Sequence, residues 1–187
     1  MHALVVMLLL VVAAFALEEF VLIRPVLSLE RSDPLSRRLE TAAIWVPAAG
    51  MALTGATMRA WGGVRLGGLV NVLGLLSCLC GIGLRWWARA TLGHLFTIGV
   101  VRQERHEVVE SGPYRLLRHP AYLALMLFYV GVPLLAGSAF GLLVLGVPAV
   151  AIFVTLAAVE DRKLAELLGA DYRAYRRRSW RLVPGLW

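Results

Sequence analysis

Charge is scarce in this chain: 17% of its 187 residues are Asp, Glu, Lys or Arg, against 59% that are hydrophobic. A soluble domain of that length has too little interior to hide so much apolar surface, so a water-dissolved globule is excluded and lipid is the expected solvent. Cysteine is almost absent. Cys78 and Cys80 stand two apart in an apolar run, point different ways on a helix, and read as small packing residues rather than a metal pair. No G-x-G-x-x-G occurs, and the stretch GGVRLGG follows no strand, which excludes a soluble-type dinucleotide domain. His94 and His106 have no ligand-like spacing to any Cys or carboxylate cluster, so no metal site is expected. No Lys or Arg precedes the first apolar run. Ala14-Phe15-Ala16 therefore lacks the positive flank of a cleaved signal, and a retained first span is expected.

Long apolar runs dominate what is present. Five reach or approach the roughly 17–25 residues needed to cross a bilayer: 3–23, 41–58, 66–84, 120–136 and 138–159. Backbone groups in lipid must pair within their own segment, so the expected fold is all-α, a polytopic membrane protein of about five transmembrane helices. The small residues of AGSAFG fold the last two spans into a helical hairpin. With the C-terminus cytoplasmic, 17 of the 19 Lys and Arg residues lie inside, and only Arg59 and Arg65 lie outside. That asymmetry predicts an external N-terminus and an odd number of spans. The basic residues form no single soluble module, so a membrane surface, not nucleic acid, is the expected partner of the +7 charge. Residues 1–84 form three N-terminal spans. Residues 85–187 form a second unit: an interfacial connector 85–119, the hairpin 120–159, and a cytoplasmic helix and tail 160–187.

Chemistry collects at the mouth of the hairpin. In GPYRLLRHPAY, proline disfavours helical geometry at His119 and suits the first helical turn, so a helix starts at Pro120 with His119 as its cap. Its N-terminal N–H groups, with Arg118 and His119 beside them, could bind an anion. Equally, Arg115 and Arg118 could be positive flanks, and Tyr114 and Tyr122 interfacial anchors. At the other end of the hairpin, Glu160-Asp161 follows the apolar run directly, against the basic bias of that side. Asp161, Leu164, Leu168, Tyr172 and Tyr175 share one helix face, while Arg162, Lys163, Arg173, Arg176 and Arg177 occupy others. An amphipathic helix on an anionic membrane explains most of this pattern. It explains less well why acids should stand opposite the Arg-His-Pro corner.

The order and spacing of these residues over 85–184 resemble the isoprenylcysteine carboxyl methyltransferase family, related to the phospholipid N-methyltransferases. The matching positions are Gly112, Tyr114, Arg118, His119, Pro120 and Tyr122, then Glu160, Leu164, Gly169, Tyr172 and Tyr175. Ala124 replaces the usual glycine and Asp161 the usual second glutamate, one methylene shorter. The resemblance implies a membrane methyltransferase with S-adenosylmethionine in a cytoplasmic pocket and a lipid-like substrate arriving from the bilayer. On that basis Gly112, Tyr114, His119, Pro120, Tyr122, Glu160 and Asp161 are expected to bind the cofactor. His119 and the helix start would hold its carboxylate, Glu160 or Asp161 its amino group, and Tyr114 and Tyr122 its adenine or sulfonium. Arg118, Glu160 and Arg173 are the expected catalytic residues, and Tyr172 and Tyr175 the substrate-binding ones. A carboxylate acceptor needs orientation by Arg118 or Arg173 but no base. An amine acceptor, as in phospholipid N-methylation, needs a base such as Glu160 or His119. An NADPH-dependent membrane reductase of the sterol type and a non-enzymatic membrane organiser are the competing readings. Eighteen arginines to one lysine suit a GC-rich prokaryotic genome, and hence a bacterial plasma membrane.

Overall fold

The computed structural model describes residues 13, 15, 34–61, 67–93 and 108–185. Among them are five helices: α1 (Pro34–Trp61), α2 (Gly68–Leu92), α3 (Pro120–Leu135), α4 (Ala139–Leu167) and α5 (Gly169–Arg178). Among the described residues there is no strand beyond one isolated bridge, between Leu117 and Trp180. The expected span 3–23 lies outside the described residues apart from Ala13 and Phe15; Phe15 is buried against Phe128. His94, His106 and the connector between them likewise lie outside the described residues.

The other four expected spans fall on α1 to α4. By length and composition α2 and α4 can each cross a membrane, whereas the apolar part of α1 (Thr41–Gly55) and α3 are shorter. Two boundaries differ from the sequence reading. α2 continues eight residues past Leu84, through Arg85 and Trp87, so the interfacial connector begins as helix. α4 runs on through Glu160 and Asp161 to Leu167. In both cases the hydrogen-bond ladder continues after the apolar run stops, because lipid thickness limits apolar length and not helix length. Within α4 a π-helical turn, Leu142–Gly146, precedes Pro148. The proline ring and missing N–H disfavour an ideal α-turn there.

α2 and α3 pack backbone to backbone. The buried face of α2 runs Gly74, Cys78, Gly81, Arg85, Ala88, in steps of four and three. A Cβ at Gly74 would collide with the main chain of Leu134 and Leu135, and one at Gly131 would lie 2.8 Å from Gly74 O. Close approach through small residues is how helices associate without a hydrophobic drive between them. It also brings side chains within reach of carbonyls on the other helix. Asn71 donates to Leu135 O at 2.9 Å, satisfying the C-terminal end of α3, and Ser77 donates to Leu127 O at 2.7 Å. The pair is thereby fixed in both spacing and register, and α4 completes the core with Phe153 and Leu156.

Gly74→Ala is expected to destabilise the protein by about 1–3 kcal/mol, the scale of overpacking against an immovable backbone. Gly83, on the same helix, has nothing within 4 Å of an added Cβ. Gly83→Ala should leave stability unchanged or raise it by up to about 1 kcal/mol through helix propensity. Thermal unfolding of both variants in one detergent checks the contrast.

Candidate functional site

The corner before α3 is built from a tight turn and two tyrosines. Gly112–Arg115 forms a 3-10 turn, with Pro113 O accepting from the amides of Leu116 and Leu117. Tyr175 of α5 reaches across to donate to Tyr114 O at 2.6 Å, with Leu117 O at 3.2 Å. Next to this turn the chain pairs with its own tail. Trp180 N donates to Leu116 O (2.8 Å), Arg118 N to Trp180 O (2.7 Å) and His119 N to Arg181 O (3.1 Å). Proline at 120 keeps His119 out of helical geometry (φ −125°, ψ 58°), and α3 begins there as the sequence implies. Arg178 adds a bidentate ion pair to Glu110, tying α5 to the connector at the surface.

One carboxylate sits at the centre. Asp161 is 1% exposed. Its Oδ1 accepts from Arg118 Nε (3.1 Å), His119 Nε2 (3.1 Å) and Tyr172 OH (2.7 Å), and its Oδ2 from Arg181 Nε (2.9 Å). Arg176 Nε lies 3.9 Å from Oδ2. Arg118 also donates through Nη1 to Arg176 O and Ser179 O, which binds the end of α5 and the tail to the same corner. Tyr172 is held well above the usual phenol range by burial and by Asp161, so it remains a neutral donor.

His119 lies between two acids. Its Nε2 faces Asp161, and its Nδ1 is 3.5 Å from Glu160 Oε2. Only the imidazolium can donate from both nitrogens. Burial pushes the ring's pKa down, but the hydrogen bonds and charges of Asp161 and Glu160 outweigh it and the net shift is upward. Glu160, with its side chain 13% exposed, also accepts from Tyr122 OH at 2.5 Å. The Tyr122 ring stacks between His119 and Phe153, with centroids 5.7 and 5.8 Å away.

The structure thus brings Tyr114, Arg118, His119, Tyr122, Glu160, Asp161, Tyr172 and Tyr175 to one place. Arg173 is exposed on α5 and is not among the donors to Asp161; Arg176 and Arg181 stand there instead. The helix start offers fewer donors than its sequence suggests. Pro120 has no N–H, and the amides of Tyr122 and Leu123 both donate to His119 O. The expected anion cradle at that terminus is correspondingly reduced. Gly112, at φ +54°, lies against Thr91 of α2, where a Cβ would collide with the threonine hydroxyl. Sequence reasoning missed the tail residues Ser179–Arg181. No periodic signal marks a three-residue strap whose partners are sixty positions away.

Comparison with known proteins identifies the family. The model of the phospholipid methyltransferase family matches residues 69–171, from the start of α2 to the first turn of α5, and the chain belongs to that family. Among its relatives is protein-S-isoprenylcysteine O-methyltransferase B of Arabidopsis thaliana, 28% identical over 117 residues that make up 62% of this chain and 59% of that protein. The Saccharomyces cerevisiae protein-S-isoprenylcysteine O-methyltransferase is 30% identical over 118 residues, 62% of this chain and 49% of its own. Methanethiol S-methyltransferase 1 of Bradyrhizobium diazoefficiens is 37% identical over 71 residues, 38% of this chain and 24% of its own. The chain thus spans less than two thirds of each of these relatives.

The raised pKa of His119 predicts a pH dependence. A group that binds its proton more tightly when folded stabilises fully below its unfolded pKa of about 6.5. That contribution is lost as pH rises through the higher folded value. The melting temperature in nanodiscs should therefore fall on the alkaline side of the ordinary imidazole range. His119→Gln should melt lower at acidic and neutral pH and lack that fall.

Proposed function

We propose that the protein is an integral membrane methyltransferase that uses S-adenosylmethionine to methylate a lipid or isoprenoid-linked carboxylate at the cytoplasmic face of its membrane. The observation carrying this reading is the meeting of the Arg-His-Pro corner with the acidic pair, His119 lying 3.1 Å from Asp161 and 3.5 Å from Glu160. The relatives support methyl transfer rather than NADPH-dependent reduction, since those named are O-methyltransferases of isoprenylcysteine proteins and an S-methyltransferase of methanethiol. The inside bias of arginine supports the cytoplasmic placement.

The residues present fit the cofactor. Glu160 is an accessible carboxylate, held by Tyr122 and His119, that suits an ammonium group. Tyr122, its ring stacked between His119 and Phe153, serves through its hydroxyl, which holds Glu160 where a cationic donor can meet it. Arg176, with its side chain 38% exposed, is an accessible cation at the edge of the cluster, open to an acceptor rather than to the cofactor. When bound, S-adenosylmethionine supplies a methyl group already activated by its sulfonium charge. The protein's own share is therefore alignment and exclusion of water. A carboxylate acceptor would be held by Arg176, in the role expected from sequence for Arg173. No base is then required, because opposite charges cancel as the methyl moves. Tyr172 and Tyr175, whose hydroxyls bond Asp161 and the Tyr114 carbonyl, frame the site rather than line it.

Purified protein in nanodiscs should bind S-adenosylhomocysteine by calorimetry and show no stabilisation by NADPH; the reverse result would end the methyltransferase reading. Glu160→Gln should weaken that binding by about 1–3 kcal/mol, the scale of a charge-assisted hydrogen bond. Mass spectrometry of lipid extracts incubated with isotope-labelled methyl donor should show label in an acid-derived ester. Label in a headgroup amine would place the chemistry on nitrogen.

A further inference from the structure

Two adjacent acids on one helix point about 100° apart, and here they meet different surroundings. A carboxylate has roughly four acceptor sites. Asp161 has four donors within 3.1 Å, supplied by Arg118, His119, Tyr172 and Arg181, and is almost fully buried. Its capacity is filled by its own chain. Glu160 receives Tyr122 and His119 and keeps capacity for a ligand. The donors to Asp161 are also what hold the tail: Arg181 belongs to it, Arg118 grips Ser179 O, and the main chain of 180–181 pairs with 116–119. Leu182 completes the dock, buried to 1%.

We propose that Asp161 is a positioning residue: it docks the strap 179–182 onto the Arg118-His119 corner and so sets His119 against Glu160, which alone of the acidic pair meets ligand. The identity of the ligand rests on the methyl-donor reading above, whereas the docking of the strap does not. His119 is the link between dock and ligand site. Against its ring stand Asp161 and Glu160 from α4 and Tyr122 from α3, and around Asp161 stand Arg118, Tyr172 from α5 and Arg181 from the strap.

The test uses the full chain in nanodiscs, with hydrogen exchange of tail peptides and calorimetric titration of S-adenosylhomocysteine between pH 6 and 9. In Asp161→Asn the Trp180 amide should exchange at least tenfold faster, and affinity should fall at least tenfold. The alkaline limb of the affinity profile should move to lower pH, because the imidazolium has lost one of its two anions; a general loss of stability would not shift that limb. Arg181→Gln, which leaves both acids in place, should loosen the strap and weaken affinity in the same direction. It decides the matter should Asp161→Asn fail to fold. Glu160→Gln should lose affinity with the strap still protected. If Asp161→Asn loses affinity while the strap keeps wild-type protection, Asp161 is a ligand and the proposal is overturned. Wild-type strap exchange in Arg181→Gln overturns it as well. Failure of the wild-type protein to bind S-adenosylhomocysteine would sink the methyl-donor reading, and the exchange data would then decide the strap's role alone.

Discussion

A carboxylate taken out of water stays charged only where its surroundings replace the lost hydration, and Asp161 is placed where they do. Arg118, His119, Tyr172 and Arg181 surround it from three segments of chain distant in sequence. Such a centre contributes little net stability, because desolvating the ions costs about as much as their attraction returns. Its effect is on uniqueness. Removing any one partner strands a buried charge, so the corner, the end of α4, α5 and the tail have one arrangement in which every charge is answered.

The helices place this centre without help from hydrophobic contrast. α2 and α3 come together through Gly74 and Gly131, and their approach lets Asn71 and Ser77 bond carbonyls across the interface. α3 then carries His119 and Tyr122 at its start, while α4 returns along it and delivers Glu160 and Asp161 immediately after its apolar stretch. Tyr122 and Phe153 stack between the two helices, so the polar cluster rests directly on the apolar packing below it. The break at Leu168–Gly169, with Gly169 at φ +59°, turns α5 back toward the corner and lets Tyr172 and Tyr175 reach it.

What the sequence made legible follows the range of each interaction. The start of α3 was readable because a proline constrains its immediate neighbour, and the hairpin because small residues mark a short turn. Helical spacing puts Tyr172 and Tyr175 on the face of Asp161; across the break at Leu168 Tyr172 does reach it, whereas Tyr175 reaches the carbonyls of Tyr114 and Leu117. Helix ends were misjudged by eight residues at both α2 and α4, since an apolar edge reports lipid and not hydrogen bonding. The strap was illegible for a different reason. Trp180 and Leu117 meet through main-chain groups that every residue possesses, so no side-chain pattern announces them. Arg181 accordingly read as one more basic tail residue, and Arg173 was favoured over it.

The charge around the cluster bears on what it can accept. Arg118, His119, Arg176 and Arg181 lie within 4 Å of Asp161 or donate to it, and only Asp161 and Glu160 oppose them. With the imidazole protonated the cluster carries two more positive charges than negative ones. Asp161 binds its cations inside the protein, so the excess falls on the accessible side, where Arg176 lies. At an interface of low dielectric such an excess draws in an anion and repels an ammonium more strongly than it would in water. The proposed function draws on this excess, since an acidic amphiphile held at its carboxylate would suit the cluster better than a protonated amine. The same excess would oppose a bound sulfonium were Glu160 not left with open capacity beside Tyr122. On the proposed reading the two neighbouring acids divide the electrostatic work, one neutralising the frame and the other keeping a single negative charge where a cationic methyl donor would meet it.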